Sequence, residues 1–285
     1  MRDKVLIYHK GCPDGYGSRW VFEKKYGDEM EYIPMSHGEE PPNLADKDVW
    51  IADFSFKRDK LLEIKAAARS VTLIDHHLSA ERELKDLDFC HIDMSHCGAV
   101  LSWYYCNGIN STVPLLLQYI EDQDLWKWQM PFAKEIVAVI DSYDYSLRHW
   151  DEIQKRLEDS LGFSGLLNEG SALLRYRDKK ITEIMHKKHK IKLGDMEIWS
   201  CNSPIYQSQI CDKLMEEKEE LISSCYYFNG EDFIFSLRSK KEGGPDVSLI
   251  AATYGGGGHK NAAGMKISRE YFSQGNDNES RPSEG

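Results

Sequence analysis

Long apolar runs are absent from this chain of 285 residues. None approaches the about 18 consecutive apolar positions of a membrane-crossing helix, and no basic segment leads into an apolar signal core at the N-terminus. Cytoplasmic residence without a membrane partner is the expectation. Cysteine is sparse: seven residues, an odd number without a Cys-x-x-Cys pair, exclude a zinc ribbon and a disulfide framework and predict mostly buried thiols in a reducing compartment. Positive charge is in deficit, with 36 Lys and Arg against 47 Asp and Glu for a net charge of −11. That balance excludes a broad basic surface for coating long nucleic acid. A short anionic substrate stays compatible with it, because bound cations reverse the local field. No internal repeat is present.

What the chain does have is a set of apolar runs that stop on polar, metal-capable side chains. Val71-Thr72-Leu73-Ile74 reads as a buried strand and ends abruptly at Asp75-His76-His77. Lys4-Val5-Leu6-Ile7-Tyr8 opens in the same way onto His9, then Cys12-Pro13-Asp14-Gly15 and a helical stretch over residues 16–25. Asp48-Val49-Trp50-Ile51-Ala52 ends at Asp53 and is followed by a helical segment over residues 58–69. Carboxyl ends of parallel strands share one rim, where open α/β sheets bind ligands. His9, Asp14, Asp53, Asp75 and His76 therefore converge, though they are distant in sequence.

Downstream, residues 89–92 read as a short strand. Ser95-His96-Cys97-Gly98 then enters an apolar helical segment at 100–106. Such a turn either presents N–H groups to an anion or simply carries an N-cap at Ser95. A helix over 114–120 runs into Glu121-Asp122-Gln123-Asp124-Leu125-Trp126, which supplies further carboxylates. Residues 131–192 read as mainly helical, broken at 162–165 and 168–170, with a long amphipathic helix that Gly194 stops. Eight Lys or Arg and two acids between Arg175 and Lys192 make a solvated basic face. From 194 onward, strands at 196–200, 221–228, 232–238 and 265–267 and a helix at 208–219 make a smaller α/β lobe. Its glycine-rich run from Tyr254 to Gly264 lets backbone approach a phosphate or base closely, while His259 and Lys260 add donors or positive charge. The polar residues from 273 onward are expected to be disordered.

This ordered set resembles the motifs of the DHH phosphoesterase family: His9 to Gly15, Asp53, Asp75-His76-His77 and the Asp122 region, with Gly255 to Gly264 similar to the signature of the accompanying DHHA1 domain. The resemblance implies an α/β fold: a parallel-sheet DHH metal-binding catalytic lobe (1–130), a helical linker (131–193), a smaller α/β DHHA1 substrate lobe (194–272) and a disordered tail (273–285). It implies a dinuclear Mn²⁺ site, with Mg²⁺, Co²⁺ or a softer ion as alternatives, and hydrolysis of phosphodiester or phosphoanhydride bonds. Carried over by position, His9 and Asp53 go to one metal, and Asp14, His76 and Asp122 to the other, with Asp53 bridging. Asp75 orients its neighbouring histidine and His77 faces the scissile phosphate. Arg238 and His259, with Gly257, Gly258 and Lys260, grip the substrate.

One position departs from the pattern. Cys12 stands where the family commonly has the first of two aspartates, and a soft thiolate suits Mn²⁺ poorly. Either the first site takes a softer ion such as Zn²⁺ or Fe²⁺, or Asp124 supplies the missing carboxylate. Asp124 otherwise caps its helix or pairs with Lys127. The expected activity is hydrolysis of short single-stranded oligonucleotides to 5′-mononucleotides, of the 3′–5′ exonuclease or oligoribonuclease type. The alternatives are cleavage of a cyclic dinucleotide and nucleotide sensing by an impaired metal site. A homodimer is compatible with all three.

Overall fold

A computed structural model describes residues 2–270, and the tail expected to be disordered lies outside them. The chain divides into two compact units, Met1–Arg175 and Tyr176–Gly285. No helix among the described residues is long and apolar enough to cross a membrane.

The first unit is built on a five-stranded parallel sheet of β1 (Lys4–His9), β2 (Met30–Met35), β3 (Asp48–Ala52), β4 (Ser70–Asp75) and β5 (Cys90–Ile92), in the order β2-β1-β3-β4-β5. Helices cover both faces, which is why its central strands are nearly continuous apolar runs. Val5, Ile7, Val49, Ile51, Val71 and Leu73 pack with Leu61 and Ile64 of α2 (Arg58–Ala67) and Ala80 and Leu84 of α3 (Leu78–Leu84). Leu6, Tyr8, Ala52 and Ile74 point the other way. There they meet side chains of α1 (Pro13–Tyr26), α4 (Gly98–Asn107), α5 (Leu115–Asp124), α6 (Ala133–Ser142) and α7 (Leu147–Glu158). β2 carries Pro34 and no readable apolar alternation, and it lies at an edge, where a missing N–H is tolerated. The order reverses direction between β1 and β3. Their carboxyl ends therefore flank the crevice at a topological switch point, and both end on candidate ligands.

Two sequence readings are corrected here. The glycines at 162–170 do not break the chain: α8 (Ser160–Met185) runs through them unbroken. Gly170 lies against the backbone of Glu135, where a Cβ would collide with the Glu135 carbonyl, so this glycine serves close helix packing. The same helix ends at Met185 instead of Lys192. Residues 189–193 form β6 (His189–Leu193), and Gly194, at φ 58°, turns β6 into β7 (Met196–Asn202) instead of capping a helix.

The second unit is a mixed six-stranded sheet in the order β10-β11-β9-β8-β7-β6. It adds β8 (Ile222–Phe228), β9 (Asp232–Ser239), β10 (Gly257–His259) and β11 (Ala262–Ser268). Only β7 and β8 pair in parallel. α9 (Gln207–Glu217) packs its Ile210, Cys211 and Leu214 with Cys201 and Cys225, and α10 (Val247–Ala252) seats Val247 and Ala251 against Phe235 and Leu237.

Candidate metal centre

Three strand ends and three helix ends of the first unit meet at one rim. Cys12 is the N-cap of α1, its Sγ accepting from the Gly15 N–H at 3.3 Å, and Pro13 opens the helix with a φ already suited to it. Asp14 thereby enters the first turn of α1 as a buried residue. Its carboxylate accepts from the Gly98 and Ala99 N–H groups, both at 2.7 Å, at the start of α4. The anion that this helix N-terminus binds is thus the chain's own Asp14. Asp53 follows β3 with a left-handed φ of 52°. It sits so close to Gly98 that a Cβ there would come within 2.5 Å of the Asp53 Cβ, so no larger residue fits at 98.

The two oxygens of Asp53 face different neighbours. Oδ1 lies 3.2 Å from His76 Nε2, whereas Oδ2 lies 3.4 Å from Cys12 Sγ and 3.6 Å from His9 Nδ1. His76 Nε2 is also 3.4 Å from Asp14 Oδ2 and 3.6 Å from Asp124 Oδ2. Three overlapping donor groups result: His9, Cys12 and Asp53; Asp14, His76 and Asp124; and Asp53, Asp75, His76 and His77. Asp75 Oδ1 accepts from the His76 and His77 N–H groups at 2.8 and 3.3 Å and lies 2.7 Å from His77 Nδ1. Its Oδ2 is buried without a hydrogen-bond partner, a costly state for a carboxylate oxygen unless a cation stands near.

No protein-family model matches the chain, so kinship rests on individual proteins. The uncharacterized protein R106 of Acanthamoeba polyphaga mimivirus is 28% identical, the match covering 93% of this chain and 67% of that protein. The oligoribonuclease NrnB of Bacillus subtilis is 25% identical over 75% of this chain, and the match spans 57% of NrnB's own length. Among solved structures, the pGpG-specific phosphodiesterase PggH of Vibrio cholerae has the same fold, with a TM-score of 0.50 at 13% identity over 94% of each chain. The motifs stand in family order, and the fold gathers those of the first unit on a single rim. The chain resembles the DHH family in the order of its motifs and shares the fold of that phosphodiesterase.

Within this centre the metal-capable groups act strongly on one another. Burial pushes Asp14 well up, and the negative charges of Asp53 and Asp124 push it further. Burial acts on Asp53 in the same sense, yet hydrogen bonds with His76 and His9 win and hold it well below the usual carboxylate range. For His76, burial opposes the charged form, but Asp53, Asp14 and Asp124 outweigh it and raise the imidazole to about 10. Without a cation these contacts favour the protonated imidazole. Burial and the charges of Asp53 and Asp14 also push the Cys12 thiol well up. For His77, burial is outweighed by the contact with Asp75 and the imidazole is raised.

The family assignment of Asp122 is not met by the geometry. Its oxygens accept from the Gln129 and Met130 N–H groups at 2.8 and 3.1 Å, and its backbone carbonyl takes those of Lys127 and Trp128. Asp122 thus folds residues 127–130 around itself, while Asp124, 200° further round the helix at 100° per residue, reaches the centre. Asp124 groups with Asp14 and His76 rather than with His9 and Cys12. One neighbour escaped the sequence reading. His37, just past β2, stacks on Phe54 with ring centroids 5.0 Å apart and lies 5.6 Å from the His9 ring. A strand-plus-polar ending is present there too, masked by Pro34.

The predicted substrate residues lie in the second unit. Arg238 of β9 pairs in register with Ala262 of β11, which pairs with His259 of β10, so Arg238 and His259 share one row. Arg238 donates to the Ser208 and Ser236 hydroxyls at 2.7 and 3.0 Å. Gly257 and Gly258 belong to the short edge strand β10, and Gly258, at φ 145°, lies against Ala262 and Ala263, where a side chain has no room. Lys260 occupies the β10–β11 turn, its carbonyl accepting from Val247 N at 2.8 Å.

Proposed function

We propose that the chain is a divalent-metal-dependent phosphodiesterase that hydrolyses short single-stranded oligonucleotides to 5′-mononucleotides, with Mn²⁺ as the expected ion. The observation that carries this reading is the double-facing carboxylate of Asp53, which lies between two donor groups. His9, Cys12 and Asp53 would hold one ion and Asp14, His76 and Asp124 a second, with Asp53 shared. The donors fit: hard carboxylates and imidazoles converge, and the orphaned Asp75 Oδ2 lies beside them. Ions held there would supply Lewis-acid polarisation of a phosphoryl oxygen and acidify a water. His77, oriented through Nδ1 by Asp75, would present Nε2–H to a phosphoryl oxygen, and its raised pKa favours the donating form. The row of Arg238 and His259 would bind a phosphate or a base of a nucleotide. Support for an oligonucleotide substrate is the likeness to a protein named an oligoribonuclease.

The test is purified, chelated protein returned to Mn²⁺ and offered end-labelled di- to pentanucleotides, a much longer single strand, and a cyclic dinucleotide. Mononucleotide release from the short linear substrates, abolished by EDTA, is the expected result. Cleavage of the cyclic substrate alone moves the function to messenger turnover. Binding without hydrolysis makes the chain a sensor, and full activity in excess EDTA ends the metal reading.

A further inference from the structure

Ser236 and Arg238 lie two positions apart on β9, so their side chains share one face of the sheet. Across the pairing they stand opposite Cys225 and Ser223 of β8. α9 covers that face: its Cys211 packs with Cys225, and Ser223 Oγ donates to Cys211 O at 2.8 Å. The arginine thereby meets the first turn of α9, where Ser208 stands. Its Nη1 donates to Ser236 Oγ at 3.0 Å and to Leu237 O at 2.8 Å, both on its own strand. Its Nη2 donates at 2.7 Å to Ser208 Oγ, 30 positions away in sequence. A guanidinium carries five N–H donors and no acceptor. With three in use, Nε–H and the second Nη2–H are left without an acceptor among the described residues, on a side chain that is only partly buried.

We propose that Ser208 is a positioning residue for Arg238, fixing the guanidinium so that its two remaining N–H groups take a phosphate of the substrate. The proposal rests on the reading of Arg238 as a nucleotide-binding residue of a phosphodiesterase. A mobile arginine gives up much rotamer freedom when it takes hold of a ligand, whereas one already fixed has lost that freedom on folding. Ser236 and Leu237 belong to the strand that carries Arg238, so they hold the guanidinium only against its own backbone. Ser208 ties it to a separate element, α9. The ligand class follows from the donors that are left. Two N–H groups without an acceptor suit the oxygens of a phosphate, whereas most base edges mix donors with acceptors. Guanine, with acceptors at both N7 and O6, is the exception. The competing explanation is that the Ser208 hydroxyl serves only the start of α9, in which case its removal acts independently of Arg238.

The test uses the full chain with Mn²⁺ and steady-state hydrolysis of two 5′-phosphorylated dinucleotides, a diadenylate and a diguanylate. The variants are Ser208→Ala, Ser208→Thr, Arg238→Ala and the double Ser208→Ala/Arg238→Ala. Alanine suits a helix at least as well as serine, so Ser208→Ala keeps α9, which a thermal melt checks. Ser208→Ala should weaken both substrates about three- to tenfold, the loss falling mainly on KM, and Ser208→Thr, which keeps the hydroxyl, should restore most of it. In the Arg238→Ala background the same substitution should add nothing, because a positioning residue acts through the side chain it holds. An equal loss with and without Arg238 overturns the positioning role, and so does an unchanged KM in Ser208→Ala when Arg238→Ala raises it. A loss confined to the diguanylate overturns the phosphate assignment in favour of a guanine edge. If Arg238→Ala itself leaves KM untouched, the reading of Arg238 as a nucleotide-binding residue fails, and the proposal with it. A wild type that hydrolyses neither dinucleotide overturns the phosphodiesterase reading beneath both.

Discussion

Asp122 and Asp124 differ by two positions and should differ in kind when removed. Asp122→Ala deletes an acceptor of two charge-assisted hydrogen bonds, 2.8 and 3.1 Å long, each worth about 1.5–3 kcal/mol. Water can reach part of this loop, so we place the loss at about 2–4 kcal/mol. For a unit of this size that is a fall in Tm of about 5–15 °C, seen in chelated protein. Asp124→Asn removes a carboxylate whose pKa is raised by burial and by Asp53, with His76 opposing. Its loss relieves repulsion in the metal-free chain, so the chelated Tm should stay level or rise slightly. What this variant loses is the response to metal. At an ion concentration of about 100 Kd the wild type should gain about 2.7 kcal/mol, or roughly 5–10 °C, and Asp124→Asn should gain little of it. Thermal melts of both variants with EDTA and with Mn²⁺ settle the matter, alongside hydrolysis rates. If Asp122→Ala melts normally in EDTA but ignores Mn²⁺ while Asp124→Asn responds fully, the two roles have been assigned the wrong way round.

Protonation provides a second prediction. A folded-state pKa of about 10 at His76 stabilises the metal-free chain fully below about pH 6.5, the unfolded value, and that stabilisation is lost as pH rises toward 10. Chelated protein should therefore lose up to about 1.4 kcal/mol per pH unit across that window, and ion uptake should release protons, measurable as buffer-dependent heats of titration. A flat profile with no proton release removes His76 as a ligand. At the other donor group, Cys12→Asp should shift preference from Zn²⁺ or Fe²⁺ toward Mn²⁺, read as activity across a metal panel, whereas an unchanged ranking places the thiol outside coordination. Gly98→Ala should displace Asp53 and abolish ion binding with little change in secondary structure, checked by calorimetry and circular dichroism. Arg238→Ala should weaken dinucleotide binding about ten- to a hundredfold, and retention of full affinity would make the β9–β11–β10 row structural.

The rim was legible because each central strand is an unbroken apolar run that stops on a polar side chain, and that break survives whatever the helices do. His9, Asp14, Asp53 and His76 were found this way. Asp124 was harder: near the end of a helix, two positions decide which side a carboxylate faces, and only the docking of α5 selects it. The glycines at 162 and 170 read as breaks because helix propensity penalises them, while their use as close-contact points is a tertiary matter. His189 to Leu193 kept the basic, helix-like texture of the residues before it, and pairing with β7 overrode that local preference.

The spread of the proposed ligands along the chain has a consequence for how the protein is born. All five strands of the first sheet are encoded by Ile92, whereas Asp124 is translated 32 positions later. At about 5–20 residues per second, the ribosome leaves roughly 2–6 s in which His9, Cys12, Asp53 and His76 exist without Asp124. If these donors hold ions as proposed, one captured in that interval would meet a partial ligand set and an uncovered sheet face, and the nascent chain would be exposed to mismetallation before α5 arrives to close the site.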